Sequence, residues 1–347
     1  MAGVGAAGTI PPGVARAPFT AVPMIEIGPY LAGGPAERRA VARQVAAAAE
    51  HVGFFYVRGH GVPEAVIERA FAASRRFFAL PLEEKRAVDI AITPNHRGYM
   101  GAYGATPDPA TGGPDLNEVF KVGLETGRDD PAFRGGNILY GPNAWPSGLP
   151  GFREAMYGYY EAILALAARM FGLFALALDL PEDHFAGRLG KPASVMNVLH
   201  YPPADPANPA KTSGVGAHSD YECFAILAQD SVGGLEIRNQ AGAWVPAPPV
   251  AGSFVVNIGD MMARWTNDRF ASTMHRVITR SGRDRYSIAF FGNCDFDTPV
   301  SCLESCQGPG NPPRYPPTTV GEHLMASIRR VFHYLEDKER RARGAGP

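Results

Sequence analysis

A mainly β chain with flanking helices is the fold class this sequence predicts, its core an antiparallel barrel of two sheets. Three observations lead there. From about residue 193 onward, short β-type segments alternate with turn chemistry. Before that point, apolar residues recur at helical spacing. The 40 Gly and 32 Pro supply more punctuation than a helical bundle needs.

Taken in order, residues 1–20 read as a flexible tail without the basic and leucine-rich blocks of a secretory signal. Gly3, Gly5 and Gly8 spell a formal G-x-G-x-x-G. No strand precedes them and Pro11-Pro12 follow at once, so they lack the frame of a dinucleotide loop. Val22 to Ile27 alternates as a short strand. Ala36 to His51 has helical spacing, and Gly53 to Val57 is a β-type run closed by Gly59-His60-Gly61. A second helix is expected over Pro63 to Leu80, with Phe71, Ser74, Phe77 and Phe78 on nearby faces. Residues 92–150 read as an irregular, Gly/Pro-rich pocket covering.

A long helix follows over about 151–178. Its most apolar part, Ala162 to Leu178, contains Arg169, a charge that costs roughly 2.5–3.5 kcal/mol at a bilayer centre. A buried helix of a large core is the reading, not a membrane span. The predicted strands are Val195–Tyr201, Ala217–Gln229, Gly234–Arg238, Ser253–Ile258, Thr273–Thr279 and Arg285–Asn293, and Thr319 to Arg343 is a charged helix. The chain thus divides into the tail (1–20), an N-terminal region (21–150), a supporting helix (151–190), a catalytic barrel (191–300) and a C-terminal loop and helix (301–347). These parts are expected to form one integrated unit.

Composition narrows the partners. Lys and Arg number 33 against 34 Asp and Glu, so no excess charge favours nucleic acid or anionic membrane. Four Cys in 347 residues are too few for a disulfide scaffold and suit a reducing, cytoplasmic compartment. Cys302 and Cys306 lack the nearby partners that a zinc site requires. The expected partner is a small molecule, taken by a monomer.

The chemistry gathers in the late strands. His218-Ser219-Asp220 can place an imidazole and a carboxylate on one strand face, two-thirds of a 2-His-1-carboxylate iron site. Alone, roughly one such match is expected by chance at this composition. His275 follows 55 residues later at the start of another predicted strand. Ten residues further on, Arg285 and Ser287 share a face by the same period of two. A guanidinium and a hydroxyl inside a barrel are costly without a ligand, and a carboxylate-bearing co-substrate offsets that cost. Glu222 has the parity of Asp220 and is a candidate for the pocket rim. Phe291 lies on the Arg285 face as cavity lining or core, and Asn117 and Glu118 are candidate substrate contacts. His200 reads as pocket wall or satisfied polar residue, His60 and His51 as packed or capping, and Asn257-Ile258-Gly259-Asp260 as a structural turn.

These motifs, with Gly53-Phe54-Phe55-Tyr56-Val57 and Gly59-His60-Gly61-Val62-Pro63, resemble the isopenicillin N synthase-like, Fe(II)- and 2-oxoglutarate-dependent dioxygenases. The resemblance spans about three-quarters of the chain. It implies a double-stranded β-helix (jelly roll) with N-terminal helices packed outside. It also implies that His218, Asp220 and His275 ligate Fe(II), that Arg285 and Ser287 bind the far carboxylate of 2-oxoglutarate, and that Tyr201 contacts this co-substrate. Leu199 stands where the family often has Asn. Hydroxylation of a small substrate by O2 is the implied reaction, with desaturation and ring closure as family variants and succinate and CO2 as co-products. The same motifs also occur in relatives that use iron and oxygen without 2-oxoglutarate, such as isopenicillin N synthase and aminocyclopropane-carboxylate oxidase.

Overall fold

The computed structural model describes residues 17–101, 116–203, 214–279, 281–332 and 334–335. The glycines of the N-terminal tail, most of the Pro202–Lys211 loop and the end of the expected C-terminal helix lie outside the described residues. The strands of the two main sheets are β1 (Met24–Glu26), β2 (Phe54–Arg58), β3 (Gly98–Met100), β4 (Glu118–Gly123), β5 (Val195–Tyr201), β6 (Gly214–His218), β7 (Phe224–Gln229), β8 (Leu235–Arg238), β9 (Trp244–Pro246), β10 (Phe254–Ile258), β11 (His275–Ile278) and β12 (Arg285–Gly292), and Pro299–Val300 pairs with Thr318–Thr319 in a small third sheet. The helices are α1 (Gly28–Ala32), α2 (Pro35–His51), α3 (Glu64–Phe78), α4 (Leu82–Arg86), α5 (Pro131–Arg134), α6 (Phe152–Ala177), α7 (Asp260–Trp265) and α8 (Val320–Val331).

An eight-stranded sheet runs in the order β1-β2-β10-β7-β12-β5-β4-β3, and a four-stranded sheet in the order β6-β11-β8-β9. Pairing is antiparallel except between β1 and β2. Together they form the double-stranded β-helix that the motifs predict.

The alternation of side chains across each strand divides the large sheet into two faces. Phe55, Val57, Ile226, Phe290, Val198 and Phe120 point outward into the principal core. There α6 supplies Phe171 and Phe174, which meet Phe224 with ring centroids 5.0 and 5.1 Å apart. α6 has the length and composition to cross a membrane, yet 61% of its most apolar window is buried within the chain. On the opposite face, Phe54, Tyr56, Tyr201 and Val255 join Leu235, Ile237 and Val277 of the small sheet in a second core.

Two expectations need correction. The single strand Ala217–Gln229 is two strands, β6 and β7, on different sheets. Between them the chain turns a corner tied to the start of α7: Asp260 N–H donates to Asp220 O at 2.8 Å and Gly259 N–H to Cys223 O at 3.0 Å. The continuous apolar texture hid this crossing. Residues 92–150 are likewise more than a covering, because β3 and β4 extend the large sheet at its β5 edge. Lys121 within β4 interrupts the apolar pattern that would have marked the strand.

Glu118 lies on the helix-facing side of β4, not in the barrel as a substrate contact. Its carboxylate accepts from Lys85 Nζ at 2.7 Å and Tyr99 OH at 2.5 Å, and faces His200 Nδ1 at 3.0 Å. His200 is therefore a satisfied polar residue, with Asp284 at 2.7 Å from its other nitrogen. Burial would raise the Glu118 carboxyl, but hydrogen bonds from His200, Lys85 and Tyr99 outweigh it and hold the group down to about 2. For His200 burial disfavours the charge, and Glu118 and Asp284 together overcome it and hold the imidazole above its ordinary value.

Two outcomes are expected. Phe77 is fully buried and meets Phe78, Phe120 and Phe152 with centroids 4.7–5.2 Å apart. Phe77→Ala should cost about 3–5 kcal/mol, read as a lower urea midpoint, and an unchanged midpoint would contradict this packing. A raised His200 pKa contributes stability that is complete below its unfolded value and is lost as pH rises through the folded one. The wild-type midpoint should therefore fall as pH rises past the ordinary imidazole range, and His200→Gln should flatten that fall. An equal fall in both proteins would remove His200 as its source.

Candidate active site

β6 and β11 pair so that His218 stands directly opposite His275. Their rings lie 4.2 Å apart, centroid to centroid, at 52°. Each ring is oriented by its own neighbourhood: His218 Nδ1–H donates to Gly216 O at 2.8 Å, and His275 Nδ1–H to Thr273 O at 3.2 Å. Both Nε2 lone pairs are thereby left facing the Asp220 carboxylate, whose Oδ1 is 3.6 Å from His218 Nε2 and 3.8 Å from His275 Nε2. One donor atom from each residue lies within 4.8 Å of the other two. Two neutral imidazoles and a carboxylate converging in this way can hold a divalent cation and leave further positions open. Burial, then the His218 beside it, push the His275 imidazole down to about 4, which keeps its nitrogen available.

Asp220 does not lie on β6 with His218, as strand parity predicts; it sits just beyond the strand, at the corner. Its other oxygen, Oδ2, accepts from Asn257 Nδ2 at 2.7 Å. Asn257 is on the inward face of β10, so this bond ties the acid of the small sheet to the large one. Phe54, paired with Asn257 across β2 and β10, presses edge-on against His275 at 5.1 Å. Asp260 accepts from Ser272 Oγ at 2.6 Å and Ser219 Oγ at 3.2 Å, fixing the segments that precede and follow the ligands. Reading 257–260 as a turn alone missed this role, although the inward parity of Asn257 was the available signal.

Arg285 and Ser287 face the same interior from β12. Arg285 is fully buried. Its Nε donates to Gly233 O at 2.6 Å, Nη1 to Ser287 Oγ at 3.2 Å and Nη2 to Gln229 Oε1 at 3.2 Å. Tyr201, its partner across β5 and β12, places its ring 4.5 Å beneath the guanidinium. Among the described residues no carboxylate pairs with this charge. A guanidinium carries five N–H donors, so donors remain for an anionic ligand. The buried uncompensated cation and the metal-ready donor set both fit the groups the motifs imply.

The inward face of the large sheet is less tightly covered than the outward one. Asn197, Leu199, Leu227, Gln229 and Phe291 lie mid-sheet on the inward face, yet each remains partly exposed. Phe291 is thus partly exposed on the inward face and belongs to neither core. His60 takes no part: its Nδ1 accepts from Val62 N–H at 3.1 Å and its ring packs on Phe254. Glu222 is buried, and burial together with the Asp220 carboxylate pushes its carboxyl well above the usual range.

Comparison with known proteins agrees with this geometry. Residues 22–148 match the N-terminal model of the non-haem dioxygenases in morphine synthesis, and residues 192–293 match the 2OG-Fe(II) oxygenase superfamily. The chain is 37% identical to the 2-oxoglutarate-Fe(II) type oxidoreductase hxnY of Emericella nidulans, over 91% of this chain and 92% of that protein. A homoarginine-6-hydroxylase of Glycine max is 34% identical over 90% and 98%. Among solved structures, a full-length Neurospora crassa protein in complex with alpha-KG and thymine superposes with a TM-score of 0.79 at 27% identity, covering 89% of this chain and 96% of that one. This chain belongs to the 2OG-Fe(II) oxygenase superfamily.

Proposed function

We propose that this Fe(II)- and 2-oxoglutarate-dependent dioxygenase holds its metal on His218, Asp220 and His275, and its co-substrate on Arg285 and Ser287 with Tyr201 beneath the clamp. The observation that carries the reading is the pairing of two features on one barrel interior. One is a three-donor cluster with its Nε2 atoms turned inward; the other is a buried guanidinium with no acid among the described residues to neutralise it. When bound, the iron and 2-oxoglutarate supply the oxidising power: O2 oxidises a substrate C–H bond to an alcohol while the co-substrate becomes succinate and CO2.

The protein's own residues bind, orient and exclude water. The Gly216 and Thr273 carbonyls fix both histidine tautomers. Asn257 leaves Asp220 one oxygen to offer the metal. Gly233, Gln229 and Ser287 aim the guanidinium, and the Tyr201 face below it prevents the charge from turning away. The partly exposed Phe291 gives the substrate an apolar wall. Near-balanced charge and four free cysteines support a cytoplasmic monomer with no nucleic-acid or membrane partner.

Anaerobic addition of Fe(II) and 2-oxoglutarate should produce the weak visible metal-to-ligand charge-transfer band of the chelate. Iron retention without the band would sink the co-substrate assignment. Arg285→Ala removes charge-assisted bonds of about 1.5–3 kcal/mol each, so 2-oxoglutarate should bind roughly 10- to 100-fold more weakly with iron affinity little changed. Equal loss of both would count against the clamp. Asn257→Leu keeps the volume but frees Asp220, and iron affinity should drop roughly 10- to 100-fold, as for other residues that orient metal ligands. An unchanged iron titration would show that Asn257 does not position the acid.

A further inference from the structure

The strands that carry the clamp on their inward face carry a second cluster on their outward face. Tyr201 and Arg285 stand opposite each other on β5 and β12, and one step along, His200 stands opposite Tyr286. Alternation turns His200 and Tyr286 away from the barrel. The His200 ring stacks on Tyr286 at 4.8 Å and 19°, and packs on Phe78 of α3 at 5.3 Å. Both of its nitrogens face carboxylates: Nδ1 lies 3.0 Å from Glu118 Oε2, and Nε2 lies 2.7 Å from Asp284 Oδ1. An imidazole that donates to two carboxylates must carry both protons, so this geometry is that of the imidazolium.

The two carboxylates differ in what else holds them. Glu118 keeps Lys85 Nζ at 2.7 Å and Tyr99 OH at 2.5 Å whatever His200 does. Asp284 immediately precedes Arg285, and its bond ties the neighbour of Arg285 to the neighbour of Tyr201. Ser281, Gly282 and Arg283 before it are exposed, so the chain enters β12 from an open turn. On the β7 side the strand start is held by Asp230, whose Oδ2 accepts from Tyr286 N–H at 2.6 Å. His200 supplies the matching side-chain hold on the β5 side. A neutral imidazole has one N–H and one lone pair, and the lone pair repels the carboxylate it faces. The Asp284 side chain, 52% exposed, can turn into water, whereas that of Glu118, 16% exposed, is the costlier one to leave without a donor. Loss of the His200 proton therefore frees Asp284.

We propose that His200 is a positioning residue for the co-substrate: its imidazolium ties Asp284 to β5, holds Arg285 over Tyr201, and gives up that hold with its proton. The inference rests on the reading that Arg285 and Ser287 bind the far carboxylate of 2-oxoglutarate. The groups that face His200 are Glu118 of β4 with Asp284 and Tyr286 at the start of β12. Lys85 of α4 and Tyr99 of β3 reach it through Glu118, and Arg75 of α3 and Asp230 act on Tyr286. Among these side-chain types, only histidine ordinarily changes charge between pH 5 and 8. Burial disfavours the imidazolium, and Glu118 and Asp284 outweigh it and hold its value above the ordinary one. The co-substrate should thus bind best while His200 is protonated, and more weakly as pH rises past the ordinary imidazole range. Because the Asp284 end is half-exposed, the effect should be about two- to fivefold in affinity.

The test titrates 2-oxoglutarate into the anaerobic Fe(II) protein at a series of pH values, following the charge-transfer band. Pyruvate, a 2-oxo acid with no far carboxylate, is titrated alongside. It shares the chelating end of 2-oxoglutarate and bypasses the clamp. The ratio of the two affinities therefore isolates Arg285 and cancels changes at the metal or in the folded fraction. In wild type the ratio should favour 2-oxoglutarate throughout and shrink about two- to fivefold as pH rises. His200→Gln and Asp284→Asn should each give a smaller ratio at low pH that no longer changes with pH. The double variant should match either single one, as expected for the two ends of one bond. Asp284→Asn changes a half-exposed side chain, and so carries the test even if His200→Gln folds poorly.

A wild-type ratio that favours 2-oxoglutarate equally at every pH would overturn the proposal. So would a fall with pH that survives in Asp284→Asn, or losses that add in the double variant. A ratio near one at every pH would instead remove the clamp at Arg285, and this inference with it.

Discussion

The hydrogen bond from Asn257 to Asp220 is where the two sheets become one site. His218 and His275 belong to the small sheet and are adjacent because β6 and β11 pair. Arg285 and Ser287 belong to the large one. Asp220 lies at the corner where the chain leaves the first sheet for the second, and a corner residue has no strand neighbours to fix its side chain. Asn257, locked on β10 between β2 and β7, supplies that fixation. The Asp260 and Gly259 amides hold the backbone of the same corner. Metal geometry thus inherits its precision from a buried strand and not from a loop.

A second constraint follows from alternation. Every strand of the large sheet gives one face to the helices and one to the cavity. The outward face is largely apolar and aromatic, and α6 and α3 cover it. The inward face collects Arg285, Ser287, Gln229, Asn197 and Lys121, none of which a stable core would choose. The fold can hold these groups because the energetic burden of folding falls on the other side of the same strands. Polar residues that strayed outward, Glu118 and His200, are neutralised there by Lys85, Tyr99 and Asp284.

Much of this was legible in the sequence, for a physical reason. Period-two spacing put Arg285 and Ser287 on one face, and the observed β12 runs from Arg285 as expected. The helices at 35–51, 64–78 and 152–177 follow the 3.6-residue spacing of Ala, Phe and Leu closely. The failures have a common cause. Corners and edge strands are fixed by long-range contacts, and local pattern does not encode those. The break between β6 and β7 is written in the amides of α7, some forty residues away. β4 escaped notice because Lys121 stands among Val119, Phe120 and Val122, so its apolar residues do not alternate cleanly with polar ones. Asp220 reached its histidines through a corner, and strand parity was the wrong route to a correct pairing.

That last failure bears on how the site divides its labour. Where a side chain must be rigid, this protein gives it a strand position and a backbone partner, as for both histidines. Where a cation is buried inside the barrel, no acid among the described residues pairs with it, as for Arg285 and Lys121. Burial alone would make either cation a liability, and an internal acid would silence it. Leaving the counter-charge to the incoming molecule turns a desolvation cost into discrimination, because a molecule without the matching anion leaves that cost unrelieved. Two such cations share one sheet face, Arg285 in the row of Tyr201 and Lys121 in the row of Ala289.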